Sequence, residues 1–130
     1  MTRVRVLVAD DDYDARGLLQ VYLQGDPQLT LVGAAADADG AIELAREHRP
    51  DTAILDVHMP GGGGVRAARE IREISPETSI IALSAMDDRA TVLDMLDAGA
   101  ISYVVKGATR EQVIDTVRRG LDAHKKLNAS

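Results

Sequence analysis

Five times along this chain a short apolar run gives way to a stretch with helical spacing, and no other feature limits its fold as strongly. The runs Val4 to Ala9, Leu29 to Ala35, Thr52 to Leu55, Ile80 to Leu83 and Ile101 to Val105 are too short for helices and apolar on both faces. Strands of that kind belong inside a parallel sheet that is covered on both sides. After each run, apolar residues recur at three- and four-residue spacing. They are Ala15, Leu18, Leu19, Tyr22 and Leu23, then Ala38, Ala41, Ile42 and Ala45, then Val65, Ala68 and Ile71. Val92, Leu93, Met95 and Leu96 mark a fourth helix, and Val113, Val117 and Leu121 a fifth. Pro50 breaks the chain before the third strand and Pro76 closes the third helix. Thr109 and Gln112 have the spacing of a capping box that opens the last helix. Repeated strand–helix order predicts a doubly wound α/β domain with a five-stranded parallel sheet.

The chain has 130 residues, enough for one domain that buries roughly two thirds of the surface its unfolded form exposes. Its core must be aliphatic, because there is no Phe or Trp and only 3 Tyr. That suits helix-on-sheet packing and argues against a base-stacking surface. A net charge of −6 gives no general attraction for phosphate backbones, so direct nucleic-acid binding is not expected. The absence of cysteine excludes a disulfide framework and a thiolate metal site. Met-Thr-Arg leads straight into the first strand without the apolar stretch of a signal peptide. No run approaches the ~20 apolar residues of a membrane span. A soluble cytoplasmic protein with no membrane partner is the expectation.

In a doubly wound sheet, ligands bind outside the carboxyl ends of the strands. Asp10 with Asp11, Asp56, Ser84 and Lys106 fall at the ends of strands one, three, four and five. Carboxylates that converge stay ionised only when a cation joins them. A hard divalent ion with oxygen ligands, most simply Mg²⁺, meets that need. An aspartate in such a site can also attack a phosphoryl group and hold it as an acyl phosphate. Asp12 suits the cap of the first helix better than the site. His58, with no second imidazole or thiolate nearby in sequence, makes a poor zinc site. Gly61 to Gly64 lacks the following Lys-Ser/Thr of a phosphate-cradling loop. The Val92–Leu96 cluster reads as mostly core, yet it spans more of the helix than one packing stripe needs, which leaves part of it for a partner.

Four segments then combine in order: Val-Leu-Val-Ala-Asp-Asp-Asp (6–12), Leu-Asp-Val-His-Met-Pro-Gly (55–61), Ala-Leu-Ser-Ala (82–85) and Ala-Gly-Ala-Ile-Ser-Tyr-Val-Val-Lys (98–106). Together they resemble the receiver domain of bacterial two-component response regulators, from Val4 to about Leu121. The resemblance implies a flavodoxin-like strand order 2-1-3-4-5 in a single domain filling residues 1–130. It implies that Asp56 accepts a phosphoryl group from a sensor histidine kinase or phosphotransfer protein, as in a phosphorelay. Asp10 and Asp11 would bind Mg²⁺ together with Asp56, and the His58 backbone carbonyl would be a further ligand. Ser84 is similar to the hydroxyl that moves toward the phosphoryl oxygen, Lys106 to the ammonium that pairs with it, and Tyr103 to the aromatic whose burial follows. The surface around the fourth helix, fifth strand and fifth helix would change and take up a partner or a second copy. Such a switch turns over no separate substrate.

The chain departs from the family pattern in three places. Gly107 follows Lys106 where many members have proline, which leaves the backbone there open. Gly61 to Gly64 replaces a loop that commonly carries an acidic residue, and backbone entropy is expected to loosen it. No output domain is expected after the last helix, although Gly-Ala-Thr-Arg-Glu-Gln (107–112) is closest to receivers that precede a helix-turn-helix output. Gly107 and the glycine loop favour an alternative, a receiver-like module that binds proteins without phosphorylation; the intact acidic cluster opposes it. A phosphatase of the haloacid dehalogenase type would need an aspartate where His58 stands.

Overall fold

The computed structural model describes residues 3–85 and 88–129. Strands and helices alternate throughout: β1 (Val4–Ala9), α1 (Tyr13–Gln24), β2 (Leu29–Ala35), α2 (Ala38–His48), β3 (Thr52–Asp56), α3 (Gly63–Ile74), β4 (Ser79–Ser84), α4 (Arg89–Asp97), β5 (Ser102–Val105) and α5 (Arg110–Ala129). All strand pairs are parallel, in the order β2-β1-β3-β4-β5. This is the expected flavodoxin-like doubly wound sheet. Sheet pairing moves four strand limits by a residue: β3 takes in Asp56, β4 gains Ser79 and Ser84 at its two ends, and β5 begins at Ser102.

Successive strand residues point to opposite faces, so each apolar run supplies both. Leu7, Leu55, Ile80 and Ala82 pack against Ile42, Ala68, Ile71 and Met95 from α2, α3 and α4. Val8, Ile54, Ile81 and Leu83 pack against Leu19, Leu23, Val113 and Val117 from α1 and α5. Each fully buried Ile, Leu or Val contributes roughly 1.5–3 kcal/mol relative to exposure. Helices α1, α2 and α5 start where side chains cap them. Asp12 accepts from the Asp14 amide at 3.0 Å, and Asp37 from the Gly40 amide at 2.7 Å. At α5 the predicted box closes in both directions. Thr109 Oγ1 accepts from the Gln112 amide at 3.2 Å, and Gln112 Oε1 from the Thr109 amide at 2.9 Å.

Two helix faces differ from the reading above. On α1, Leu19 and Leu23 are buried, but Leu18 is exposed together with Tyr13 and Val21. On α4 only Met95 is buried, while Leu93 is 59% and Leu96 41% exposed. The physical reason is the edge position of β5, which is four residues long and gives α4 little sheet to cover. Among the described residues no helix is long and apolar enough to cross a membrane.

Candidate functional site

The strand order reverses at β1, whose neighbours β2 and β3 lie on opposite sides, and this opens a crevice at the carboxyl edge. Asp10 and Asp11 follow β1 into the crevice and Asp56 ends β3. Carboxylate oxygens of these three residues all lie within 4.8 Å of one another. Asp10 and Asp56 are buried, whereas Asp11 is exposed at the mouth. Asp10 Oδ1 accepts from the Asp12 amide at 2.9 Å, but its Oδ2 is buried with no hydrogen-bond partner. Leaving such an atom unpaired costs about 1–3 kcal/mol, and more when it is charged. Hard oxygen donors with one unsatisfied atom fit a divalent cation of the Mg²⁺ kind.

Lys106 closes the cluster. Its backbone amide donates to the Ser84 carbonyl at 2.8 Å, which fixes where β5 releases the side chain. Lys106 Nζ then donates to Asp56 Oδ2 at 3.0 Å and lies 3.7 Å from Asp10 Oδ1. The His58 amide donates to Asp56 Oδ1 at 3.1 Å. Burial, the largest influence, pushes the Asp56 carboxyl up to about 6; the Lys106 and His58 hydrogen bonds work against it, while Asp10 adds to it. Burial pulls the Lys106 ammonium down, but the bond to Asp56 and the charges of Asp56, Asp10 and Asp11 outweigh it and leave the group raised. The two directions agree physically. Lys106 keeps a partly exposed side chain and loses little hydration, whereas Asp56 is almost wholly enclosed.

The structure therefore brings Asp10, Asp11, Asp56 and Lys106 together. Ser84 is buried at the end of β4, paired in register with Val105. Tyr103 stands outside the crevice on β5, 49% exposed. Arg16, which the sequence reading passed over, sits on α1 with Nη1 donating to the Asp10 carbonyl at 2.8 Å. No spacing rule announces such a bond, because it joins a helix to the preceding strand end.

The glycine loop takes a conformation that calls for glycine. Gly61, Gly62 and Gly63 hold φ of +85°, +103° and +74°, a region other residues rarely enter. A Cβ on Gly63 would lie 2.7 Å from the Val57 carbonyl oxygen, and one on Gly64 2.4 Å from that of Asp56. Close approach to the backbone of β3 thus requires glycine there. Arg66 Nη1 donates to the Gly61 carbonyl at 2.6 Å and to Asp39 at 2.7 Å, tying the loop to α2. Gly107 takes φ +91°, which accounts for glycine after Lys106.

A parallel doubly wound sheet with an acidic crevice faced by a lysine places the chain among flavodoxin-like α/β domains, and comparison makes the family plain. The chain belongs to the response regulator receiver domain family, whose profile matches residues 6–118. It is thus a signal-transduction module of the two-component kind. It is 37% identical over 116 residues to the oxygen regulatory protein NreC of Staphylococcus epidermidis, covering 88% of this chain and 53% of that protein. It is 38% identical over 108 residues to a protein-glutamate methylesterase/protein-glutamine glutaminase of Nitrosospira multiformis, covering 81% of this chain and 30% of that protein. Among solved structures, the signal receiver domain of the response regulator NarL from Mycobacterium tuberculosis superposes with a TM-score of 0.85 at 34% identity, covering 96% of this chain and 98% of that one. The chain spans about half the length of the curated transcriptional regulators it matches.

Proposed function

We propose that the chain is a phosphorylation-operated switch, a single receiver domain with its core at about residues 4–121, that takes a phosphoryl group onto Asp56. The observation that carries this reading is the enclosed Asp56 carboxylate, set between Lys106 and an acidic pair with an unpaired oxygen. Asp56, with its carboxyl near 6, is mostly ionised at neutral pH and can act as the nucleophile. An Asp56 carboxylate oxygen bonds to phosphorus as the bond to the donor's imidazole nitrogen, or to the carboxyl oxygen of a small acyl phosphate, breaks. The leaving group departs with the electron pair. Asp10, Asp11, Asp56 and the His58 carbonyl would hold Mg²⁺, which when bound supplies positive charge to the phosphoryl oxygens. Lys106 supplies a second cation, and the Ser84 hydroxyl with a backbone N–H donates to the remaining oxygen. The phosphorylated product is the chain itself, so no separate substrate is turned over.

The donor is a sensor histidine kinase or phosphotransfer protein, and exposed Tyr13, Leu18 and Val21 on α1 offer it apolar surface. A ligand moves a conformational equilibrium only through contacts that differ between the states. Ser84 and Lys106 make those contacts, at the ends of β4 and β5. Drawing both toward a phosphoryl group shifts α4 and β5 and buries Tyr103. Exposed Leu93, Leu96 and Tyr103 then form the face where a protein partner or a second copy docks. The chain works in the cytoplasm and touches neither membrane nor nucleic acid directly. Gly63 and Gly64, among the glycines that favoured a phosphorylation-independent module, pack against the backbone of Val57 and Asp56, and this structural reason for glycine lends that alternative no support.

Intact mass provides the test. With acetyl phosphate and Mg²⁺ the wild type gains one phosphoryl group, EDTA prevents the gain, and Asp56→Asn shows none. A comparable gain on Asp56→Asn, mapped outside neighbouring hydroxyls, refutes the assignment. Lys106→Ala still accepts phosphate, more slowly, but loses the phosphate-dependent change in hydrogen exchange over residues 88–105.

A further inference from the structure

His58 and Asp88 stand on the two loops that flank Asp56, and their side chains meet. His58 Nε2 lies 3.0 Å from Asp88 Oδ2. The other oxygen, Asp88 Oδ1, accepts from the Thr91 amide at 3.4 Å, and the Asp88 carbonyl accepts from the Thr91 hydroxyl at 3.0 Å. One carboxylate therefore caps α4 with one oxygen and grips the β3–α3 loop with the other. Among the described residues this is the only side-chain hydrogen bond joining that loop to α4. The helix has little else to hold it, since it is nine residues long and buries Met95 alone. A neutral imidazole protonated on Nε2 suffices as donor, so the contact needs no charge on His58.

The same histidine is tied to the reacting carboxylate through its backbone, because its amide donates to Asp56 Oδ1. A phosphoryl group on Asp56 changes what that amide can bond to, and the His58 side chain moves with its backbone. From 3.0 Å, a displacement of about 0.5–1 Å takes the pair beyond hydrogen-bonding range. We propose that the His58–Asp88 pair is a latch that holds the first turn of α4 in the resting state and is released by occupancy of Asp56. This rests on the reading of Asp56 as the phosphoacceptor. It gives α4 an input of its own, separate from the pull of Ser84 and Lys106 on β4 and β5.

The test is amide hydrogen exchange over residues 92–97 of the full chain, free and loaded with beryllium fluoride and Mg²⁺. Asp88→Ser keeps a good helix cap but is too short to reach His58, and His58→Ala removes the other half without touching the cap. Each variant should exchange two- to fivefold faster than wild type when free, the order expected for an exposed charge-assisted pair. The double variant should exchange no faster than either single one. His58→Gln, which keeps a side-chain N–H donor, should restore much of the protection. In the loaded state, wild type and variants should coincide, because the latch is already open. Free variants that exchange like wild type, effects that add in the double variant, or differences that persist after loading each overturn the latch. A wild type that gains no phosphoryl mass overturns the reading of Asp56 instead, whereas a phosphorylated wild type beside unchanged variants overturns the latch alone.

Discussion

Asp56→Asn should make the metal-free protein more stable at neutral pH, by an amount that disappears in acid. The carboxyl of Asp56 is raised from 3.8 to about 6, chiefly by burial. A rise of roughly two in pKa corresponds to on the order of 3 kcal/mol. The folded state keeps this proton to a higher pH than the unfolded chain does, so between about pH 4 and pH 6 folding takes up a proton. Stability from this group is therefore complete below about pH 4 and is lost as pH rises through about 6. Asparagine has nearly the same shape, still offers an oxygen to Lys106 or the His58 amide, and does not titrate. Glu77, held low first by its own backbone N–H and then by Arg49, and Asp88, held low first by Thr91 and then by His58, slope the other way. Both are present in the two proteins and cancel in the difference. Urea unfolding in EDTA at several pH values from 4 to 7.5 should give a variant-minus-wild-type stability that grows by up to about 3 kcal/mol. Mg²⁺ at ten times its Kd should then recover about 1.4 kcal/mol for the wild type and much less for the variant. A difference that stays constant from pH 4 to 7.5 would refute the reasoning, since Asp56 would then titrate alike folded and unfolded.

Asp11→Ala should remove most of the Mg²⁺-dependent rise in melting temperature, and an undiminished rise would mean that the ion binds elsewhere. Gly64→Ala forces a Cβ to 2.4 Å from the Asp56 carbonyl oxygen, an overpacking against backbone that should cost about 3 kcal/mol in urea unfolding. Gly107→Ala meets open space and only a φ of +91°, so about 1–2 kcal/mol is expected; equal losses at the two sites would contradict the packing argument. Thr109→Ala breaks the capping box and should cost about 1 kcal/mol of stability without altering phosphoryl uptake by intact mass.

Element type was legible in this chain because its signals are local. Apolar runs, helical spacing, Asp12 and the Thr109–Gln112 pair mark their elements within a few residues, and neighbouring strands need only pair in parallel to complete the sheet. The candidate site was legible for a related reason, since Asp10, Asp11, Asp56, Ser84 and Lys106 stand at strand ends, and a parallel sheet brings strand ends to one edge. What remained depends on neighbours far away in sequence. Whether Leu93 and Leu96 are buried was decided by how much sheet β5 offers at its edge. The need for glycine at Gly63 and Gly64 was decided by the approach of α3 to the backbone of Asp56 and Val57, which no spacing along the chain announces. Spacing could not reveal that Arg16 reaches the Asp10 carbonyl or that His58 meets Asp88 across 30 residues. The sequence by itself determined which elements form and which chemistry stands at their ends, because backbone periodicity and side-chain type are properties of short segments. Only the tertiary structure decided which atoms meet, because contact and burial depend on the packing of all the segments at once.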